Sequence, residues 1–210
     1  MFIFKLLKKY GLLNIILISI YQIYYLFFNL RSIYVDFSIE KKNEKFHAVI
    51  PTPYYVLRLI KKQKYLSNKK ISTFVDFGSG TGLVVSYVRD YLGYKNIYGY
   101  ELNKILIKKF KKNYEKVKIF NKNCENFSKN DQIFFDKVDK KKAIFLYFFN
   151  PFYSLLVLKI IKVFIKKKYK DIYIGLVGFN EKDLSRILNK LNYVSILKKK
   201  KLIYIIKLKF

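Results

Sequence analysis

The hydrophobic pattern of the chain has two parts. Residues 10–30 form one uncharged and almost wholly apolar run. Beyond residue 50, short apolar runs alternate with stretches whose apolar positions recur at helical spacing. There, Phe74-Val75-Asp76-Phe77 reads as an apolar strand that ends on an acid, breaks into alternating glycines (Gly78, Gly80, Gly82) and hands over to a helix near Thr81. Leu83–Leu92 is helical, Asn96–Tyr100 is a short strand ending at Glu101, Asn103–Asn113 is helical again, and Val117–Phe120 is a third strand. Lys142–Phe149 is a near-continuous apolar run, as expected of a central strand covered on both faces. It is followed by a helix over Ser154–Lys167, a strand over Asp171–Phe179 and a helix over Glu181–Leu191. Tyr193–Leu197 and Leu202–Lys209, on either side of a lysine-rich turn, read as an antiparallel hairpin. The alternation predicts an α/β fold: a doubly wound sheet, mostly parallel, with an antiparallel C-terminal hairpin.

Upstream, Pro51-Thr52-Pro53 sets up a helix start, with Thr52 able to cap and Pro53 suited to the first helical position; Val56, Leu57 and Ile60 then carry a helix over Tyr54–Lys64. Residues 32–50 mix charges and aromatics without a period and read as a linker. As a helix, the 21 residues from Tyr10 to Leu30 would be about 30 Å long, enough to cross a hydrocarbon core. Yet Gly11, Asn14, Gln22, Tyr25 and Asn29 gather within roughly a quarter of its circumference. A spanning helix, a helix lying in a membrane surface and a helix packed on the domain therefore all remain open. The expected organisation is an apolar N-terminal helix (1–31), a linker (32–50) and one folded domain (51–210).

Charge changes the picture more than composition does. The chain has 43 Lys+Arg against 14 Asp+Glu, a formal net charge of +29. Only Arg31, Arg58, Arg89 and Arg186 are arginine. A field this positive attracts anionic membranes or nucleic acid. However, no RNA-binding motif is present, and the lysine runs Lys166–Lys168 and Lys198–Lys201 lack interleaved stacking aromatics. A lone Cys124 excludes an internal disulfide and a thiolate metal cluster. His47 is the only histidine, and no Gly-x-Ser-x-Gly elbow accompanies it, so a hydrolase triad is not supported. No metal site is expected.

The glycine turn carries the chemistry. A dinucleotide site has Gly-x-Gly-x-x-Gly/Ala, in which the third small residue lets the helix pack closely. Counting from Gly78 or Gly80, that position falls on Leu83 or Val85. The strand also ends on Asp76, which would repel a pyrophosphate and suits a ligand carrying an ammonium group. The pattern Asp76-x-Gly78-x-Gly80-x-Gly82, with Glu101 nineteen residues after Gly82 at the end of the next strand, resembles the class I S-adenosylmethionine-dependent methyltransferases. That resemblance spans about residues 50–180. It implies a Rossmann-like fold with S-adenosyl-L-methionine as cofactor. It also implies a site lined by Asp76, Gly78, Ser79, Gly80 and Gly82, with Glu101 accepting hydrogen bonds from the ribose hydroxyls. Asn123, after the third strand, stands where the family often places an acid that meets the adenine amino group.

After the fourth strand, Asn150-Pro151-Phe152-Tyr153 resembles the Asn/Asp-Pro-Pro-Tyr/Phe motif of methyltransferases that modify planar amino groups. Carried over, the Asn150 amide oxygen and a backbone carbonyl accept hydrogen bonds from the target nitrogen and aim its lone pair, while the aromatic side stacks on the acceptor; the work is mainly positioning. Phe152 replaces the second proline, a departure from the nucleobase- and glutamine-directed members. Phe149-Asn-Pro-Phe152 also looks like a group of small bacterial class I methyltransferases of unassigned substrate. Tyr98-Gly-Tyr-Glu-Leu-Asn103, with the apolar N-terminal run, is similar to membrane-anchored protein-lysine methyltransferases. The expectation is an N-directed methyltransferase with a protein or small-molecule amine as acceptor, placed in the cytoplasm where the cofactor is, and at the cytoplasmic face of a membrane if the N-terminal helix attaches. The alternative is a non-catalytic basic module of the same fold, held on anionic membrane or RNA.

Overall fold

The computed structural model describes residues 12, 16, 19, 20, 23, 52–67, 70–94, 96–113, 117–128, 131–149, 153–191, 194–200 and 203–208. The chain divides into two compact units, Met1–Gln63 and Lys64–Phe210. The first contains helix α1, Tyr54–Lys61. Pro53 occupies its cap rather than its first turn, with extended backbone (ψ 136°), so the helix starts one residue later than the Pro-at-first-position reading expects. It also ends earlier, at Lys61. Leu12, Ile16, Ser19, Ile20 and Ile23 are helical and exposed. Among the described residues no helix is long and apolar enough to cross a membrane. The linker over 32–50 and His47 lie outside the described residues.

The second unit is a seven-stranded sheet with helices in its connections. Its elements are β1 (Ile71–Phe77), α2 (Leu83–Tyr87, continued by a wider π-turn Val88–Leu92), β2 (Asn96–Glu101), α3 (Lys104–Asn113) and β3 (Lys118–Asn121). A single turn at Cys124–Asn126 follows, then α4 (Gln132–Phe135), β4 (Ala143–Phe149), α5 (Ser154–Lys166), β5 (Ile172–Val177), α6 (Glu181–Asn189), β6 (Val194–Lys200) and β7 (Ile203–Leu208). The strand order is β3-β2-β1-β4-β5-β7-β6. Strands β1 to β5 are parallel; β7 inserts antiparallel between β5 and β6. The doubly wound sheet with its antiparallel hairpin is thus the observed fold. The lysine-rich stretch read as the hairpin turn belongs instead to the edge strand: Lys198, Lys199 and Lys200 pair with Ile205, Tyr204 and Ile203. Period-2 geometry permits this, because an edge strand can turn alternate side chains to solvent. Lys199 lies over the Tyr204 ring at 5.7 Å.

Alternation along β1 separates the two faces of the sheet. Val75 and Phe77 belong to a core built with rings from α4 and α5, whereas Phe74 and Asp76 point the other way. At the carboxyl ends of the central strands Phe77 stacks between its register partners Tyr100 (5.2 Å, 13°) and Phe148 (5.0 Å, 5°). The edges of Phe127 and Phe164 close on it. Each such pair adds about 0.5–1.5 kcal/mol beyond area burial. This packing makes the ends of β1, β2 and β4 a rigid platform, and the glycine turn leaves from it.

Candidate functional site

Gly78, Gly80 and Gly82 all have left-handed backbone, φ 80°, 54° and 79°. Side chains disfavour that region, which is why the turn alternates glycine with other residues. The destination of the turn's N–H groups decides what it can hold. Gly78 and Ser79 both donate to the Tyr100 carbonyl (2.8 and 2.9 Å), and Gly82 donates back to the Ser79 carbonyl (2.8 Å). The Gly80 N–H donates to Glu101 Oε2 (2.8 Å). The amides of Gly78, Ser79 and Gly80, the first three of the turn, are therefore turned toward β2, so they cannot cradle a phosphate.

What the turn presents instead is carboxyl groups. Glu101, half-buried at the end of β2, also accepts from the Asn103 N–H through Oε1 (2.7 Å). Burial pushes its titration up, and the amides of Asn103, Gly80 and Leu102 pull it back down. Asp76 is buried at the end of β1 and, among the described residues, its Oδ2 has no hydrogen-bond partner; burial first, and the Glu101 charge second, hold it well above the usual carboxylate range. Ser79 Oγ is likewise buried without a partner. Buried polar atoms are normally paired. Two orphans beside one turn indicate a place for a ligand's polar groups.

Several supporting residues were not evident in the sequence. Gly99 stands beside Asp76 in the β1–β2 register. A Cβ there would lie 2.8 Å from Ser79 Oγ, 2.9 Å from Ser79 Cβ and 2.3 Å from Ile119 Cδ1, so the turn sits directly on β2. Asn121 donates through Nδ2 to the Glu101 and Leu102 carbonyls (3.0 and 2.9 Å), fixing the segment that carries Glu101. Cys124 is buried where it feels both carboxylates and the Gly78 amide; burial is the main cause that pushes its thiol up to about 12. A glycine within a strand was the one readable signal for Gly99. The other two depend on tertiary proximity.

Asn123 is committed to its own turn. Its carbonyl accepts from the Glu125 N–H (2.9 Å) and its amide donates to Glu125 Oε2 (3.2 Å). Asn150, Pro151 and Phe152 lie outside the described residues, between the end of β4 and the start of α5. Tyr153 is the cap of α5 and is exposed, and its carbonyl accepts from Leu156 (3.0 Å) and Val157 (3.2 Å). The structure thus brings Asp76, Gly78, Ser79, Gly80, Gly82 and Glu101 together at the ends of β1 and β2. Asn123 follows β3, and Tyr153 follows β4.

No protein-family model matches the chain and no curated protein is similar to it in sequence. Its fold is nonetheless shared with solved methyltransferases. A precorrin-6y C5,15-methyltransferase from Geobacter metallireducens GS-15 matches with TM-score 0.52 at 14% identity, covering 77% of this chain and 90% of that one. Ribosomal protein L11 methylase from Lactobacillus delbrueckii subsp. bulgaricus matches with TM-score 0.50 at 14% identity, covering 74% and 78%. A chain of a fibrillarin–Nop5p complex matches with TM-score 0.51 at 13% identity, covering 81% and 91%. The fold is that of the class I, Rossmann-like methyltransferases that use S-adenosylmethionine.

Proposed function

We propose that this chain is an S-adenosylmethionine-dependent methyltransferase acting on a nitrogen of a protein or small-molecule amine. The observation that carries the cofactor assignment is the turn itself: its first three amides are spent on β2, and its mouth offers Asp76 and Glu101. Such a donor set rejects a pyrophosphate and accepts hydroxyl and ammonium groups. Gly78, Gly80 and Gly82 let the backbone come close to the ligand, and Ser79 Oγ is available to it. Each Glu101 oxygen keeps a lone pair for a ribose hydroxyl beyond its backbone amide. The Asn123 carbonyl keeps one for the adenine amino group. When bound, the cofactor supplies an electrophilic methyl group on a sulfonium.

For the acceptor, Asn150 and Pro151 would hold the target nitrogen and Phe152 and Tyr153 would pack on the group that carries it. The exposed Tyr153 at the head of α5, which follows β4, the strand next to β1 and its glycine turn, supports that placement. Thermal shift tests the cofactor: S-adenosylmethionine and its demethylated product should raise Tm by mass action, and no shift with either would defeat the reading. Asn150→Ala should keep that shift and lose methyl transfer into fractionated lysate. Undiminished transfer would remove Asn150 from the mechanism.

A second element of the proposal concerns attachment to an anionic membrane surface. Leu12, Ile16, Ile20 and Ile23 are each helical and exposed, and their spacing at about 100° per residue puts them within an arc of about 80°. Residues 1–35 contain Lys5, Lys8, Lys9 and Arg31 and no carboxylate. An apolar stripe among basic residues suits the interface of an anionic bilayer. Flotation with anionic liposomes should need residues 1–30; flotation of a chain lacking them would transfer the contact elsewhere.

A further inference from the structure

We infer that Asp76 holds a proton in the unliganded protein and gives it up to solvent when the cationic cofactor enters, so that the site chooses its ligands by charge. The inference rests on the cofactor reading above and extends it. Its ground is the geometry around Asp76. The residue is only 2% exposed, one carboxyl oxygen has no partner, and among the described residues no lysine or arginine pairs with it. Among the described residues, those beside it are Gly99 on β2 and Tyr147 on β4, in register with it, the Glu101 carboxylate at the end of β2, and the Cys124 thiol beyond the end of β3. None of these is a cation.

An isolated buried carboxylate beside a second carboxylate is costly, and the group relieves the cost by taking up a proton. Burial and Glu101 both push Asp76 in that direction. Glu101 cannot share the burden equally, because two backbone N–H groups already favour its ionised form. A ligand bearing fixed positive charge supplies the missing counter-ion and removes the reason for the proton. No bond is made or broken in the chain; the proton passes from the Asp76 oxygen to buffer as the cation binds.

Calorimetry on the full chain decides the matter. Binding heats of S-adenosylmethionine, measured in two buffers of different ionisation enthalpy, should reveal release of a proton. While Asp76 is protonated in the free protein, the association constant should rise about tenfold per pH unit. The neutral probe 5′-methylthioadenosine, which lacks the amino-acid part, should bind without proton release and without that slope. Asp76→Asn should bind S-adenosylmethionine more weakly, with no proton released. Binding of S-adenosylmethionine to the wild type with no proton release and a flat pH profile would overturn the inference and leave the methyltransferase reading standing. Equal release with the neutral probe, or undiminished release in Asp76→Asn, would also overturn it. Failure of S-adenosylmethionine to bind at all would defeat the cofactor reading itself. The wild-type measurement is sufficient even if Asp76→Asn does not fold.

Discussion

Strands β1 and β2 lie side by side and each ends on an acid, yet the two acids are treated in opposite ways. The ionised form of Glu101 is favoured by the Gly80 and Asn103 amides, and the carbonyls of Glu101 and Leu102 are clamped by Asn121. Asp76 is buried with an oxygen left over and with another carboxylate for a neighbour. Desolvation raises both titrations, but only at the end of β2 do hydrogen bonds work against it. The contrast separates two ways of preparing a site. A rigid acceptor is finished before the ligand arrives, while a strained one is completed by it.

The sharpest way to break this comparison is Glu101→Ala. It removes the ribose acceptors and frees the amides of Gly80 in the turn and Asn103 after β2. Hydrogen bonds to charged groups are worth about 1.5–3 kcal/mol each, so the loss for the ribose pair should be about 3 kcal/mol or more, on the order of a hundredfold in cofactor affinity by titration calorimetry. Unchanged affinity would mean that the ribose binds elsewhere. Next in size is Gly99→Ala, whose Cβ would press on Ser79 and Ile119. Overpacking of this kind costs about 1–3 kcal/mol, to be read as a lower Tm with weakened cofactor binding. A wild-type Tm would show that the turn can retreat from β2. Asn121→Ala should cost about 1 kcal/mol, seen in cofactor affinity with little change in Tm. Equal losses in both would make Asn121 merely structural.

The smallest effect sharpens the other side. Because Asp76 titrates above its unfolded range, its contribution to stability is complete below the ordinary carboxylate range and is lost as pH rises through the raised value. Asp76→Asn has no such loss. In thermal melts without ligand, the Tm of the variant should therefore fall less steeply with rising pH than that of the wild type. Parallel curves would show that Asp76 is already ionised.

Most of this architecture was legible because its signals are local. Apolar runs and glycine breaks place the strands β1, β2, β4 and β5 and their helices, and β3 starts only one residue after its expected position. Strand order was not legible: that β7 slips between β5 and β6 depends on pairing across the sheet. Helix α4, only Gln132–Phe135, is too short to show a period. At the site, spacing gave the glycines and both acids, because strand ends and turns follow rules one residue at a time. It did not show where the amides of the turn point, which is what excludes a phosphate. Nor did it reveal Asn121 or Gly99, whose roles exist only once β2 lies between the turn and β3.

The tethering of the turn to β2 has a consequence for motion. Gly78 and Ser79 donate their N–H groups to the backbone of β2, a strand covered on both sides, and Gly80 donates to the Glu101 carboxylate at its end, so the first two amides open only when the turn parts from β2. In hydrogen exchange they should be slow with or without ligand, unlike the amides of an ordinary binding loop. Little conformational entropy then remains to be lost there on binding, and whatever ordering the acceptor requires falls on the other side of the cleft.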